Sequence, residues 1–286
     1  MVAGSLILCL AACGPSASGL ASTACVSGVV GVSAGPNGSL YLQDARGIVH
    51  YSTQGSLLAH FGPKSGDWAV DRSGDVYYLE GKDIVKVSST GVVLRRWYAP
   101  MMEPEAVNPQ NGDVVAVYGG SVYAGSGPDR FELFSPSGRK IHRWSPSYSA
   151  NLAFDAAGDV IATAQTNAQL VAVDPETGRT VLATADEEGS PFDAVGSDNR
   201  GDIYLGGEND TDTPFIVERV TIAGDRFHFK TINSSEESVG GLTAGTNGTI
   251  YVIRNSYDEP GPTDTGLEEL SPSGSSLGKF ATCKKG

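Results

Sequence analysis

The chain reads as an all-β fold, a six-bladed β-propeller of four-stranded antiparallel blades. Three observations predict it. A unit recurs six times, its first turn glycine falling at Gly38, Gly74, Gly112, Gly158, Gly201 and Gly248. Each unit holds two glycine-punctuated hairpins, and no segment carries an amphipathic helical period.

The first hairpin of each unit pairs an apolar run with an alternating Val/Ile/Tyr run, as in WAVDRSGDVYYLE, AVNPQNGDVVAVY and LAFDAAGDVIATA. Glycine beside Asn, Asp or Ser supplies the positive-φ position of a tight turn, and the alternation that follows is a strand. The second hairpin turns at Gly55, Gly91, Gly138, Gly178, Gly224 and Gly274. Each unit therefore supplies four short strands. One such sheet cannot bury both faces alone, so the units should stack face to face around an axis. Asp71, Asn108, Asp155 and Asp198 precede the first turns and are expected to cap them through Asx-turns.

Composition narrows the partners. The 286 residues are 40% hydrophobic and carry a net charge of −13, with no Lys/Arg cluster and no apolar run long enough to span a bilayer. Duplex nucleic acid and anionic lipid headgroups need a cationic footprint that is missing here. A closed ring leaves few sheet edges to pair, so a monomer is expected.

These six units resemble the NHL-repeat and six-bladed lactonase or lyase-type propellers, a group with gluconolactonase-like and streptogramin-lyase-like members. The gluconolactonase-like resemblance implies a divalent metal in the central channel, held by acidic and amide side chains on inner strands and channel-facing loops. The lyase-like resemblance implies a His general base near a metal and a Glu. The histidines here fall on a third strand (His50) and on outer strands (His60, His142, His228), where packing roles are expected. Trp68, Trp97 and Trp144 read as packing aromatics between blades.

Residues 1–12 form a charge-free apolar stretch of signal-peptide length, and Leu10-Ala11-Ala12-Cys13 resembles the bacterial lipobox. That resemblance implies lipidation of Cys13 and a location in the cell envelope, extracytoplasmic and held to the membrane only by the anchor. Residues 13–24 form a Gly/Ser/Ala-rich tether, 25–283 the propeller, and 284–286 a tail. Cys25 opens the first inner strand and Cys283 ends the last outer one, where every other junction is a peptide link. A Cys25–Cys283 disulfide is expected to close the ring, stabilising it by ~4–5 kcal/mol in the chain-entropy view.

The loops between second and third strands share a face with the interblade crossovers, and the long ones are acidic. Glu187, Glu188 and Glu208, then Asp210, Asp212, Glu236 and Glu237, converge toward blades five and six with Tyr257, Asp258, Glu259 and Asp264. Two readings stand: a solvated acidic rim, or an oxygen-rich cation site for Ca²⁺ or another divalent ion, with Asp210, Asp212 and Asp258 as candidate ligands. No nucleophile elbow, zincin motif or phosphate loop appears, and no catalytic residue is assigned. The sequence thus points to a binding or scaffold module using this acidic face, for a protein, peptide or glycan partner. A metal-dependent lactonase, hydrolase or lyase taking a small-molecule substrate in the axial channel is the alternative.

Overall fold

The computed structural model describes residues 28–118, 130–144, 152–155, 157–164, 169–185, 192–198, 202–207, 215–220, 226–232, 237–245, 247–256 and 266–280. They form six four-stranded sheets, each built from consecutive strands in simple up-and-down order. Blade 1 holds β1 (Gly31–Ala34), β2 (Leu40–Asp44), β3 (Gly47–Tyr51) and β4 (Leu57–Phe61). Blade 2 holds β5 (Trp68–Val70), β6 (Val76–Glu80), β7 (Asp83–Val87) and β8 (Val93–Tyr98). Blade 3 holds β9 (Met102–Val107), β10 (Val114–Tyr118), β11 (Phe131–Phe134) and β12 (Lys140–Trp144). Blade 4 holds β13 (Leu152–Phe154), β14 (Val160–Ala164), β15 (Gln169–Asp174) and β16 (Arg179–Ala185). Blade 5 holds β17 (Phe192–Ser197), β18 (Ile203–Gly207), β19 (Phe215–Val220) and β20 (Arg226–Ile232). Blade 6 holds β21 (Glu237–Ala244), β22 (Ile250–Ser256), β23 (Gly266–Leu270) and β24 (Ser276–Lys279). The predicted architecture is the observed one.

The inner turn repeats the same hydrogen bond in all six blades. The N–H of Gly35, Asp71, Asn108, Asp155, Asp198 and Gly245 donates to the carbonyl of Ser39, Asp75, Asp113, Asp159, Asp202 and Thr249 respectively. Blade 3 spans one residue more than the others, because its turn is AsnProGlnAsnGly. The Asx residues do cap these turns. The Asp71 carboxylate accepts from the N–H of Ser73 and Asp75, each at 2.9 Å, from the Tyr77 hydroxyl at 3.0 Å and from Lys86 at 3.1 Å. Asp198 repeats part of this, accepting from the Asp202 N–H and the Tyr204 hydroxyl at 3.1 Å each. Such carboxylates are fully occupied by structure.

Side chains between neighbouring blades form the core. Tyr41 of blade 1 donates its hydroxyl to the Gly74 carbonyl of blade 2 at 2.9 Å. The Trp97 ring meets Tyr77 and, across the blade boundary, Phe134, at centroid separations of 6.2 and 6.3 Å. Gly138, at φ +82°, makes the second contact possible: a Cβ there would come within 2.6 Å of the Trp97 ring.

The ring closes through hydrophobic packing between the last blade and the first. Tyr251, Ile253, Leu267 and Phe280 of blade 6 share one cluster with Val29, Leu40, Leu42, Val49 and Tyr51 of blade 1. Phe280 sets its ring edge-to-face on Tyr51 at 5.8 Å, and the Ala34 N–H donates to Thr243 Oγ at 3.2 Å. Cys25 and Cys283 lie outside the described residues. Phe280→Ala should therefore loosen the closure itself, costing about 3–5 kcal/mol in equilibrium denaturation. A loss within 0.5 kcal/mol of zero would show that this contact does not hold the ring.

Candidate functional site

Each inner strand touches the inner strand of the next blade, and β21 touches β1, leaving a channel along the axis. It has two chambers. One, of about 290 Å³, opens beside the inner turns; the other, of about 180 Å³, opens on the face of the loops and crossovers. The two share one wall residue from each blade: Val32, Trp68, Glu105, Leu152, Val195 and Leu242. These residues form a waist.

The register of the fold explains that ring. Each waist residue stands three positions before the residue that opens its inner turn, Gly35, Asp71, Asn108, Asp155, Asp198 or Gly245. Two residues further along, Ala34, Val70, Val107, Phe154, Ser197 and Ala244 line the turn-side chamber. This is the period of two of a strand, repeated around the axis. Five blades place an apolar residue at the waist. Blade 3 places a carboxyl.

Glu105 sits on a β-bulge. Val115 of β10 pairs with Ala106 and Ala116 with Pro104, so Glu105 has no residue opposite it. Bulges re-aim side chains, and here the bulge occurs on a channel-lining strand. Asp67 lines the loop-side chamber next to Trp68, and its carboxyl lies close enough to those of Glu103 and Glu105 to raise both. Burial among the waist residues, and then the Asp67 and Glu103 charges, push the Glu105 carboxyl well above the usual range. Glu103 is raised to about 7, first by the hydrogen bond with Asp67 and then by burial. Among the described residues no N–H group donates to Glu105, and the basic residue of the lining, Arg72, stands at the turn-side chamber without an ion pair to it.

The sequence reading missed this cluster, because it sought carboxylates in long loops. The signal was nonetheless present: Glu-Pro-Glu interrupts an inner strand whose counterparts are apolar. Trp68, Trp97 and Trp144 pack between blades as expected, Trp68 against the cluster shared by blades 1 and 2 and Trp144 against that of blades 3 and 4. Trp68 also lines both chambers, its indole lying over Gly31, where a Cβ would stand 2.9 Å from Nε1.

Of the acidic-face residues, Glu237 begins β21. Glu187, Glu188, Glu208, Asp210, Asp212, Glu236, Tyr257, Asp258, Glu259 and Asp264 lie outside the described residues, as does Cys13. Three histidines have structural surroundings. His50 stacks on Tyr41 at 4.1 Å and meets the Ser89 carbonyl through Nδ1 at 3.1 Å, with burial lowering its pKa. His60 meets the Arg46 carbonyl at 2.6 Å, and His142 lies against Trp144 at 5.8 Å. Among the described residues no group of three or more His, Cys, Asp or Glu is disposed to hold a metal ion.

No family model matches the sequence, and no curated protein does. Solved structures do. A streptogramin B lyase superposes with a TM-score of 0.61 at 15% identity, over 91% of this chain and 84% of the other. The virginiamycin B lyase of Staphylococcus aureus gives 0.56 at 13%, over 88% and 94%. The chain shares the fold of the streptogramin-lyase-like propellers. The Cps50 (Swd1) propeller domain of Myceliophteria thermophila superposes to a similar degree, with a TM-score of 0.59 at 13% identity over 91% and 87%. Likeness at this identity is likeness of fold and extends no further.

The raised pKa of Glu103 has a measurable consequence. Its folded-state pKa exceeds the usual 4.5, so the folded chain holds that proton more tightly than the unfolded one. Stability from this group is complete below about pH 4.5 and is lost as pH rises to about 7. Thermal melts across this range should fall less steeply for Glu103→Gln than for the parent chain. Parallel slopes would show that Glu103 titrates normally.

Proposed function

We propose that this chain is an extracytoplasmic binding module, held to the membrane through a lipidated Cys13, whose ligand occupies the axial channel from the loop-side face. The observation that carries the reading is the waist: five apolar residues and one carboxyl, from six different blades, surround a passage open to chambers of about 290 and 180 Å³. A concave site where apolar walls meet convergent polar groups from several elements is the usual form of a small-ligand site, and here Asp67, Asp71, Arg72 and Asp198 join the apolar residues of the wall. The acidic loops of blades five and six would extend the contact surface toward a larger peptide, glycan or protein partner.

A neutral fluorescent probe such as N-phenyl-1-naphthylamine tests the channel. It should brighten on binding the parent chain with one-to-one stoichiometry and fail to do so with Leu152→Trp, which narrows the waist, provided the variant melts cooperatively. Equal binding by both proteins would remove the channel from the proposal. Intact mass of the membrane-extracted protein tests the anchor and clasp together. A diacylglycerol adduct on a chain starting at Cys13, with two hydrogens lost to Cys25–Cys283, is expected; an unmodified mass would refute lipidation.

One observation favours a second reading, a lyase or lactonase working in the same channel. Glu103 is raised to about 7, where a carboxyl can both take and return a proton at neutral pH. On that reading Glu103 stands behind Asp67, which lines the loop-side chamber, and exchanges its proton with a small substrate by way of that carboxyl.

A further inference from the structure

We propose that the ligand of the axial channel brings its own positive charge on an apolar body, as an alkylammonium does, and that Glu105 is its counter-ion. The inference rests on the reading of the channel as the ligand site and names the chemical class that fits it. Glu105 takes the waist position that Val32, Trp68, Leu152, Val195 and Leu242 fill in the other blades. Nothing in the packing of that ring calls for a carboxyl. Enclosed there, it is reached by solvent only along the lumen, and its partner from the chain is another acid, Asp67.

A buried carboxylate needs a cation, a donor or a proton. The described lining offers Glu105 neither of the first two, so a proton fills the role while the channel is empty. An ammonium group entering from the loop-side mouth meets Asp67 first and then Glu105, displaces the Glu105 proton to solvent, and forms charge-assisted hydrogen bonds away from bulk water. The Trp68 indole, beside Glu105 in the ring, offers an aromatic surface to the same cation. Beyond the waist, Ala34, Val70, Val107, Phe154 and Ala244 give a hydrocarbon tail apolar contacts, beside Ser197 and the charged turn residues Asp71, Arg72 and Asp198. The waist thus sets one carboxyl among five apolar residues, which matches an amphiphilic amine in sign.

Titration calorimetry at pH 8 with octylamine, 1-octanol and sodium octanoate on the full chain tests this. Octylamine should bind at least tenfold more tightly than octanol and octanoate should be weakest, with protons released in proportion to occupancy when the buffer is varied. Glu105→Gln, which keeps the waist volume, should remove the preference for octylamine over octanol while leaving octanol binding intact. Should that variant not fold, Asp67→Asn carries the test from the mouth, with a severalfold loss for octylamine alone expected. Octanol binding as tightly as octylamine, or an unchanged preference in the variant, overturns the charge assignment and leaves the channel site standing. Failure of all three probes overturns both.

Discussion

Six sheets arranged around an axis must bury their faces against each other, and that single demand shapes nearly every position of this chain. Each blade supplies large buried side chains to both neighbours, among them Tyr41, Tyr77, Phe131, Ile161, Tyr204 and Ile253, and the tyrosine hydroxyls there find partners within the fold. The demand does not reach the axis. Neighbouring inner strands touch but do not fill it, and the residues at the waist pack on one side while facing a lumen on the other. A side chain on that ring is where the fold tolerates a group that packing alone would reject.

This explains which parts of the molecule were legible in the sequence. Turn chemistry is local, so Gly38, Gly74 and their counterparts announce the hairpins, and four hairpin strands per unit announce the blade. The capping role of Asp71, Asn108, Asp155 and Asp198 follows from their distance to those glycines. The channel is not local. Which inner-strand residue faces the lumen depends on register, on the longer turn of blade 3 and on the bulge at Glu105, and none of these is visible while loops are being ranked by length and charge. Counting back from the turn-opening residue of each unit would have put Glu105 in line with Val32, Trp68, Leu152, Val195 and Leu242. That count requires the turns to be aligned first.

Trp68 illustrates the same limit in reverse. Its large ring resembles Trp97 and Trp144 in composition, and an aromatic in a propeller strand is ordinarily a packing residue. What separates it is a neighbour: Gly31, in the adjacent blade, leaves room for the indole to reach the lumen while it packs between sheets. The side chain at one position is thus read correctly only once the absence of a side chain at another is known.

The contrast between Asp71 and Glu105 shows how an interior carboxylate declares its role. Both occupy an inner strand or its turn, and both lie close to other charged groups. Asp71 accepts from two backbone N–H groups, a tyrosine hydroxyl and a lysine, so the chain itself satisfies it and nothing further is required. Glu105 finds a second acid. An acid held against an acid in an apolar ring is a standing cost to the folded state, one that the valine or leucine of the other blades would avoid. Where local geometry satisfies Asp71 and Asp198 and sets Glu105 beside other acids, the latter marks a position at which demands other than folding have acted.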